Sequence, residues 1–148
     1  GAMSDTAIAT PKHIWIVAGL SLLWNAIGGL DYVMTQTRNA TYLAQFSDEQ
    51  RAFFEGFPIW AEFFWAIGVW GAIAGSLLLF LRSRNAVYAF AASLLGLAVN
   101  SVWQFGLSGV DMAKVFGGVP MVMTALIWLI AIALLLYARR QKAAGVLR

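Results

Sequence analysis

The sequence predicts an all-α integral membrane protein, a four-helix bundle whose spans run antiparallel, up-down-up-down. Three observations carry that prediction. Of 148 residues, 61% are hydrophobic and 11% charged, whereas a soluble domain holds roughly 45–50% apolar and about 25% charged residues. Mean hydropathy is +0.74. The apolar residues gather in four runs, 13–35, 58–81, 86–107 and 119–138, each long enough to cross a hydrocarbon core, which takes about 20 helical residues. The absence of cysteine excludes disulfides and thiolate metal sites. The pI near 9.6 comes from basic residues lying between the apolar runs, a topological signal rather than a nucleic-acid footprint.

Residues 1–12 open with Gly1-Ala2-Met3, which reads as a tag-removal scar before a natural start at Met3 and a short cytoplasmic N-terminus. No cleaved signal is expected, because the first apolar run is too long and lacks a small-x-small exit. The loop 36–57 contains Ser47-Asp48-Glu49-Gln50, a capping box that opens a short helix near Phe53, Phe54 and Phe57. That segment reads either as an interfacial helix or lid, or as an ordinary ordered loop resting on the bundle. Pro58 and Pro120 sit in the first turns of the second and fourth runs, where a missing N–H does no harm. Arg82-Ser83-Arg84-Asn85 is a tight turn that makes its flanking helices antiparallel neighbours, and the loop 108–118 has room for a further turn of helix. Residues 139–148 form a basic tail. Ser21-Leu22-Leu23 recurs as Ser93-Leu94-Leu95, and the second and fourth runs end alike. This suggests two duplicated helical hairpins, though leucine-rich helices also match by chance.

Orientation follows from the basic residues. Lys12, Arg82, Arg84, Arg139, Arg140, Lys142 and Arg148, seven of ten, fall on one side, and Arg38, Arg51 and Lys114 on the other. The positive-inside rule therefore places both termini in the cytoplasm.

Polar groups at membrane depth are where chemistry is expected, because lipid offers them no hydrogen bonds. Counting from cytoplasmic anchors at 1.5 Å per residue, Asp31 lies about 28 Å up, Glu62 and Gln104 about 30 Å, and Asn100 about 24 Å. Asn25 lies nearer the middle, and Tyr32 joins an aromatic layer with Trp60, Trp65 and Trp103. On a helical wheel, Ser93, Gly96, Asn100 and Gln104 form one stripe and Ser21, Asn25, Gly28 and Tyr32 another, with Asp31 turned about 100° from Tyr32. Two readings follow. In one, Asp31, Tyr32, Glu62, Asn100, Gln104 and Asn25 line an outward-facing pocket for a small polar or cationic ligand, in which two adjacent carboxylates would share a proton. In the other, the carboxylates are solvated at the interface or capped by Arg38, Arg51 or Lys114, and the amides are structural bonds between helices. Gly68, Gly71 and Gly75 lie opposite Glu62 on the wheel, and pack either a second subunit in a homodimer or a neighbouring helix of the same chain.

His13 stands alone at a helix end, no lysine falls inside a span, and no metal-ligand cluster, nucleophile and base pair or phosphate loop is present. Hence neither a cofactor nor an intramembrane enzyme is expected. With His13-Ile14-Trp15, Asp31-Tyr32-Val33-Met34-Thr35-Gln36-Thr37-Arg38-Asn39, Gly56-Phe57-Pro58 and Gly145-Val146-Leu147-Arg148 in view, the chain resembles a group of uncharacterised small four-span inner-membrane proteins of Gram-negative bacteria, some of them labelled sugar transporter. The resemblance implies a bacterial inner-membrane location and, through that label, binding or movement of a small polar solute. A non-catalytic accessory or sensory subunit, recognised by a membrane partner, is the alternative.

Overall fold

A computed structural model describes residues 10–148, so the expected tag scar lies outside the described residues. Seven helices run in order: α1 (Lys12–Gln36), α2 (Ala40–Leu43), α3 (Asp48–Glu55), α4 (Ile59–Phe80), α5 (Ala86–Val102), α6 (Met112–Phe116) and α7 (Gly118–Ala143). A π-helical turn, Trp103–Leu107, extends α5. The four long helices are long and apolar enough to cross a membrane. Leu20, Leu23, Ile27 and Leu30 of α1 and Val122, Leu126, Leu129 and Leu136 of α7 are exposed, as a lipid-facing surface requires. One end of the bundle carries the short helices α2, α3 and α6; the other carries the basic residues from Lys12 to Arg148. They are called here the lid end and the basic end.

Helix α4 is the centre, with α1 packed on one side and α5 on the other, and α7 against α5. Lipid is as apolar as leucine, so close packing and hydrogen bonds must hold the helices together. On α4 the glycine stripe meets α5 backbone to backbone. A Cβ on Gly96 would fall 2.5 Å from the Phe64 carbonyl oxygen and 2.6 Å from the Gly68 nitrogen. Ser93 Oγ donates to the Gly68 carbonyl at 2.6 Å. Of the two readings of the Gly68, Gly71 and Gly75 stripe, the contact within the chain is the one that forms: α5 meets Gly68 and Gly71 with Ala89, Ser93 and Gly96, and Gly75 with Phe90. The physical reason is complementarity, since small residues recur one turn apart on both helices.

A second polar seam joins α1 to α4. Ser21 and Ser76 hydroxyls lie 2.8 Å apart, and Asn25 Nδ2 donates to the Ala72 carbonyl at 3.1 Å and to Ser76 Oγ at 3.0 Å. Tyr32 stacks edge-on against Trp65, with ring centroids 4.7 Å apart. Trp128 Nε1 donates to Ser101 Oγ at 3.1 Å, tying α7 to α5. Between α1 and α7 the contact is at the basic end, where His13 Nδ1 and the Tyr137 hydroxyl lie 2.5 Å apart.

At the basic end the stretch read as a tail is structured. Helix α7 continues to Ala143, and Gly145, at φ 81°, reverses the chain in the left-handed region that glycine tolerates best. Val146 N donates back to the Gln141 carbonyl at 2.9 Å and Gly145 N to Lys142 at 3.1 Å, the paired bonds of a Schellman cap. The strand-like end then bonds to the α4–α5 turn: Arg148 N to the Arg82 carbonyl at 2.9 Å, and Arg84 N to the Arg148 carbonyl at 3.1 Å. Val146 and Leu147 are buried in one cluster with Ile14, Leu79, Ala86 and Phe90.

Two stability outcomes follow. Gly96→Ala should lower the melting temperature in detergent, because overpacking against backbone costs about 1–3 kcal/mol, whereas Gly28→Ala, whose Cβ meets nothing within 4 Å, should gain about 0.5–1 kcal/mol of helix propensity. Equal behaviour of the two would contradict the α4–α5 seam. Leu147→Ala should cost about 2–5 kcal/mol, the range for emptying a buried leucine site, read by chemical or thermal unfolding; an unchanged midpoint would mean that the clasp does not hold.

Candidate binding cavity

Above the His13–Tyr137 contact a cavity of about 540 Å³ separates α1 from α7, floored by α4 and α5. That volume lies within the about 300–1,000 Å³ of small-molecule sites. Its wall is mostly apolar, and its polar residues are Asn25, Asp31, Asn100 and Gln104 together with Tyr42, Ser93, Ser101 and Thr124.

Four of the six expected residues line it: Asp31, Asn25, Asn100 and Gln104. Asp31 lies at the lid end of α1, half-buried, and accepts a hydrogen bond from the Tyr42 hydroxyl of α2. Asn100 is 5% exposed; its Nδ2 donates to the Ala61 carbonyl at 3.2 Å, and its Oδ1 accepts from Gln104 Nε2. Gln104 sits in the π turn, which Ser108 N closes onto the Trp103 carbonyl at 2.7 Å. Such turns break the α register locally and recur at functional sites.

Tyr32 and Glu62 do not line the cavity. On α1 the stripe of Ser21, Asn25 and Tyr32 packs on α4, and the face about 100° round the wheel, with Trp24, Ile27, Gly28 and Asp31, meets the cavity. On α4 the glycine stripe points at α5, which turns Glu62, on the opposite side of the wheel, away from the α4–α5 seam. Glu62 instead occupies the first turn of α4, where a carboxylate favours the helix dipole. Glu62 is therefore not among the residues that line the chamber beside Asp31.

On the side of the expected outward opening, residues of the lid end line the cavity. Ser47 and Gln50 form the expected capping box of α3, and Gln50 Nε2 donates to the Val115 carbonyl at 3.0 Å, tying α3 to α6. Phe53, 6% exposed, packs on Phe57, Trp103 and Phe116 with centroids 5.3–5.4 Å away. Phe53, Phe54, Phe57 and Phe116 line the cavity from this side. Arg51 is drawn into the lid, donating to the Leu43 and Phe46 carbonyls and pairing with Asp48. Among the described residues no cation pairs with Asp31.

The sequence reading missed Tyr42, the roof's contact with Asp31. Its signal was faint: Asn39 caps Tyr42 N at 2.9 Å, after a turn through Arg38 at φ 54°, and helical periodicity does not reach across such a turn. Burial first, then the hydrogen bond to Asp31 and its charge, push the Tyr42 hydroxyl well above its ordinary 10.0.

No family model, curated protein or solved structure matches the chain. The cavity's meaning rests on its own residues. Fold and composition define a small multi-pass integral membrane protein.

The Tyr42 shift fixes a pH dependence. Above about pH 10 an unfolded tyrosine ionises while folded Tyr42 keeps its proton, so the folded state binds more protons and stability falls as pH rises. Below that pH the contribution is fully present. Tyr42→Phe should remove this part of the alkaline loss, measured as the difference between wild-type and variant melting curves from neutral to alkaline pH; parallel curves would contradict the Tyr42–Asp31 contact.

Proposed function

We propose that the protein binds a small molecule in the α1–α7 cavity, with a polar end at Asp31, Asn100 and Gln104 and an apolar body along the wall. The observation that carries this reading is a chamber of about 540 Å³, lined mostly by apolar side chains, with Asp31, Asn100 and Gln104 toward its lid end. With seven basic residues at the opposite end, the positive-inside rule puts that end in the cytoplasm and the lid outside. Together with the family resemblance, this supports a bacterial inner-membrane protein, N-in and C-in, that binds or passes a solute without catalysing a reaction on it. For the accessory-subunit reading, with its contact through the glycine stripe or the outer loop, the first of these surfaces is occupied within the chain.

Gly28 lines the chamber and a Cβ there would meet nothing within 4 Å, so Gly28→Leu is the substitution chosen to fill the site. Thermal shift of the purified protein against sugars, amines and single-chain amphiphiles should give stabilisation by at least one class, up to about 2.7 kcal/mol at a hundredfold excess over Kd. Gly28→Leu should lose that response. A response undiminished in Gly28→Leu, or none from any class, would contradict binding in this cavity.

A further inference from the structure

Resting on that reading, we infer that the ligand is an ammonium-headed amphiphile that reaches the cavity sideways from the bilayer, between α1 and α7, and sets its head against Asp31. The hydrogen-bonding inventory points to a donor. Asn25 Nδ2 donates twice within the protein and Asn100 Nδ2 and Gln104 Nε2 once each, which leaves one hydrogen on each of the latter two, while the Asn25 and Gln104 amide oxygens accept from no described residue. Asp31 adds a carboxylate, an acceptor-only group when ionised. The cavity lining contains no lysine or arginine. A neutral acceptor such as a ketone finds few unused donors there, and an anion meets the Asp31 charge; an ammonium supplies three donors and the opposite charge.

The wider field has the same sign. Six of the seven acidic residues, Asp31, Asp48, Glu49, Glu55, Glu62 and Asp111, lie at the lid end with three basic ones, Arg38, Arg51 and Lys114. That net negative charge concentrates cations at this end. A fully polar amine such as a free amino sugar does not suit the wall, where phenylalanines, Met123 and Ile127 would strip its hydroxyls of water without replacing the bonds.

The route follows from the lid. Aromatic rings of α3 and α6 cover the lid end, whereas three cavity-lining residues, Ile27 on α1 and Met123 and Ile127 on α7, are 67%, 40% and 40% exposed. They form an apolar lip facing hydrocarbon. A hydrocarbon-bodied ligand passes such a lip without being desolvated, and its head needs to descend only to Asp31, near the end of α1.

The test uses the full chain in phosphatidylcholine nanodiscs, with dodecylamine as probe and dodecanol as the neutral match. Dodecylamine should stabilise the wild type more than dodecanol does. Asp31→Asn should raise its Kd by about tenfold or more, as loss of a charged hydrogen bond does. Glu62→Gln should leave the Kd unchanged. Tyr42→Phe breaks the same lid contact but keeps the carboxylate, so it should retain amine binding; an equal loss in Tyr42→Phe and Asp31→Asn would show a structural role only and overturn the inference. Nanodiscs containing phosphatidylethanolamine distinguish sources: stabilisation by that lipid alone, lost in Asp31→Asn, assigns the site to a lipid headgroup, and its absence beside a dodecylamine response assigns a free amine. As the chain has no cysteine, Ile27→Cys can be capped with a bulky maleimide, which should slow dodecylamine binding; an unchanged rate overturns the lateral route. If dodecanol or a sugar binds, Gly28→Leu abolishes it and Asp31→Asn does not, the cavity binds but the amine inference fails. No response to any probe sinks both.

Discussion

The close approach of α4 and α5 sets the rest of the molecule. Glycines on one helix and Ala89, Ser93 and Gly96 on the other bring two backbones into direct contact, which is how helices gain packing energy in a solvent as apolar as themselves. Once that face of α4 is used, its remaining azimuths are assigned. Asn25, Ser21 and Tyr32 bind α1 to a neighbouring face through Ser76, Ala72 and Trp65. Helix α7 attaches to α5 rather than to α1. The bundle therefore has one seam that closes at the basic end and stays apart toward the lid, and the cavity is that seam.

The polar groups divide by partner rather than by depth. Serines and asparagine amide hydrogens are consumed in bonds between helices, each worth on average about 0.6 kcal/mol in a membrane. What is left facing the chamber includes the Asn25 and Gln104 amide oxygens and Asp31, the one charged member of the lining. A site built this way reads a ligand by the hydrogens it brings. The aromatic lid lines the chamber on that side, and Tyr42 supplies the Asp31 carboxylate with a hydrogen bond.

Much of this was legible in the sequence. Hydropathy gave the four spans, since membrane thickness imposes their length, and the Ser47–Gln50 box marked the lid helix. Depth counting brought Asp31, Glu62 and Gln104 to one layer, with Asn100 about one turn deeper. Rotation was harder. A wheel fixes residues relative to one another on a single helix but not which neighbour each face meets, so the Asn25 and Tyr32 stripe, expected to face the bundle interior, turned out to be the α4 contact and Asp31 took the cavity side. Glu62 had the right height and the wrong azimuth. The glycine stripe held the information to see this: placing it against α5 turns Glu62 outward. The π turn at Trp103–Leu107 and the clasp at Val146–Leu147 left weaker signs, although Gly145 followed by two apolar residues matches the pattern of a Schellman cap.

The central claim is that the chamber is closed to water at the lid and open to hydrocarbon between α1 and α7. A nitroxide attached at Gly28→Cys in the cysteine-free chain, where a new side chain meets open space, reports this directly through its collision rates in nanodiscs with dissolved oxygen and with a water-soluble nickel chelate. The account predicts frequent collisions with oxygen, which concentrates in hydrocarbon, and few with the chelate. Ready collision with the chelate would show a chamber open to water and contradict it.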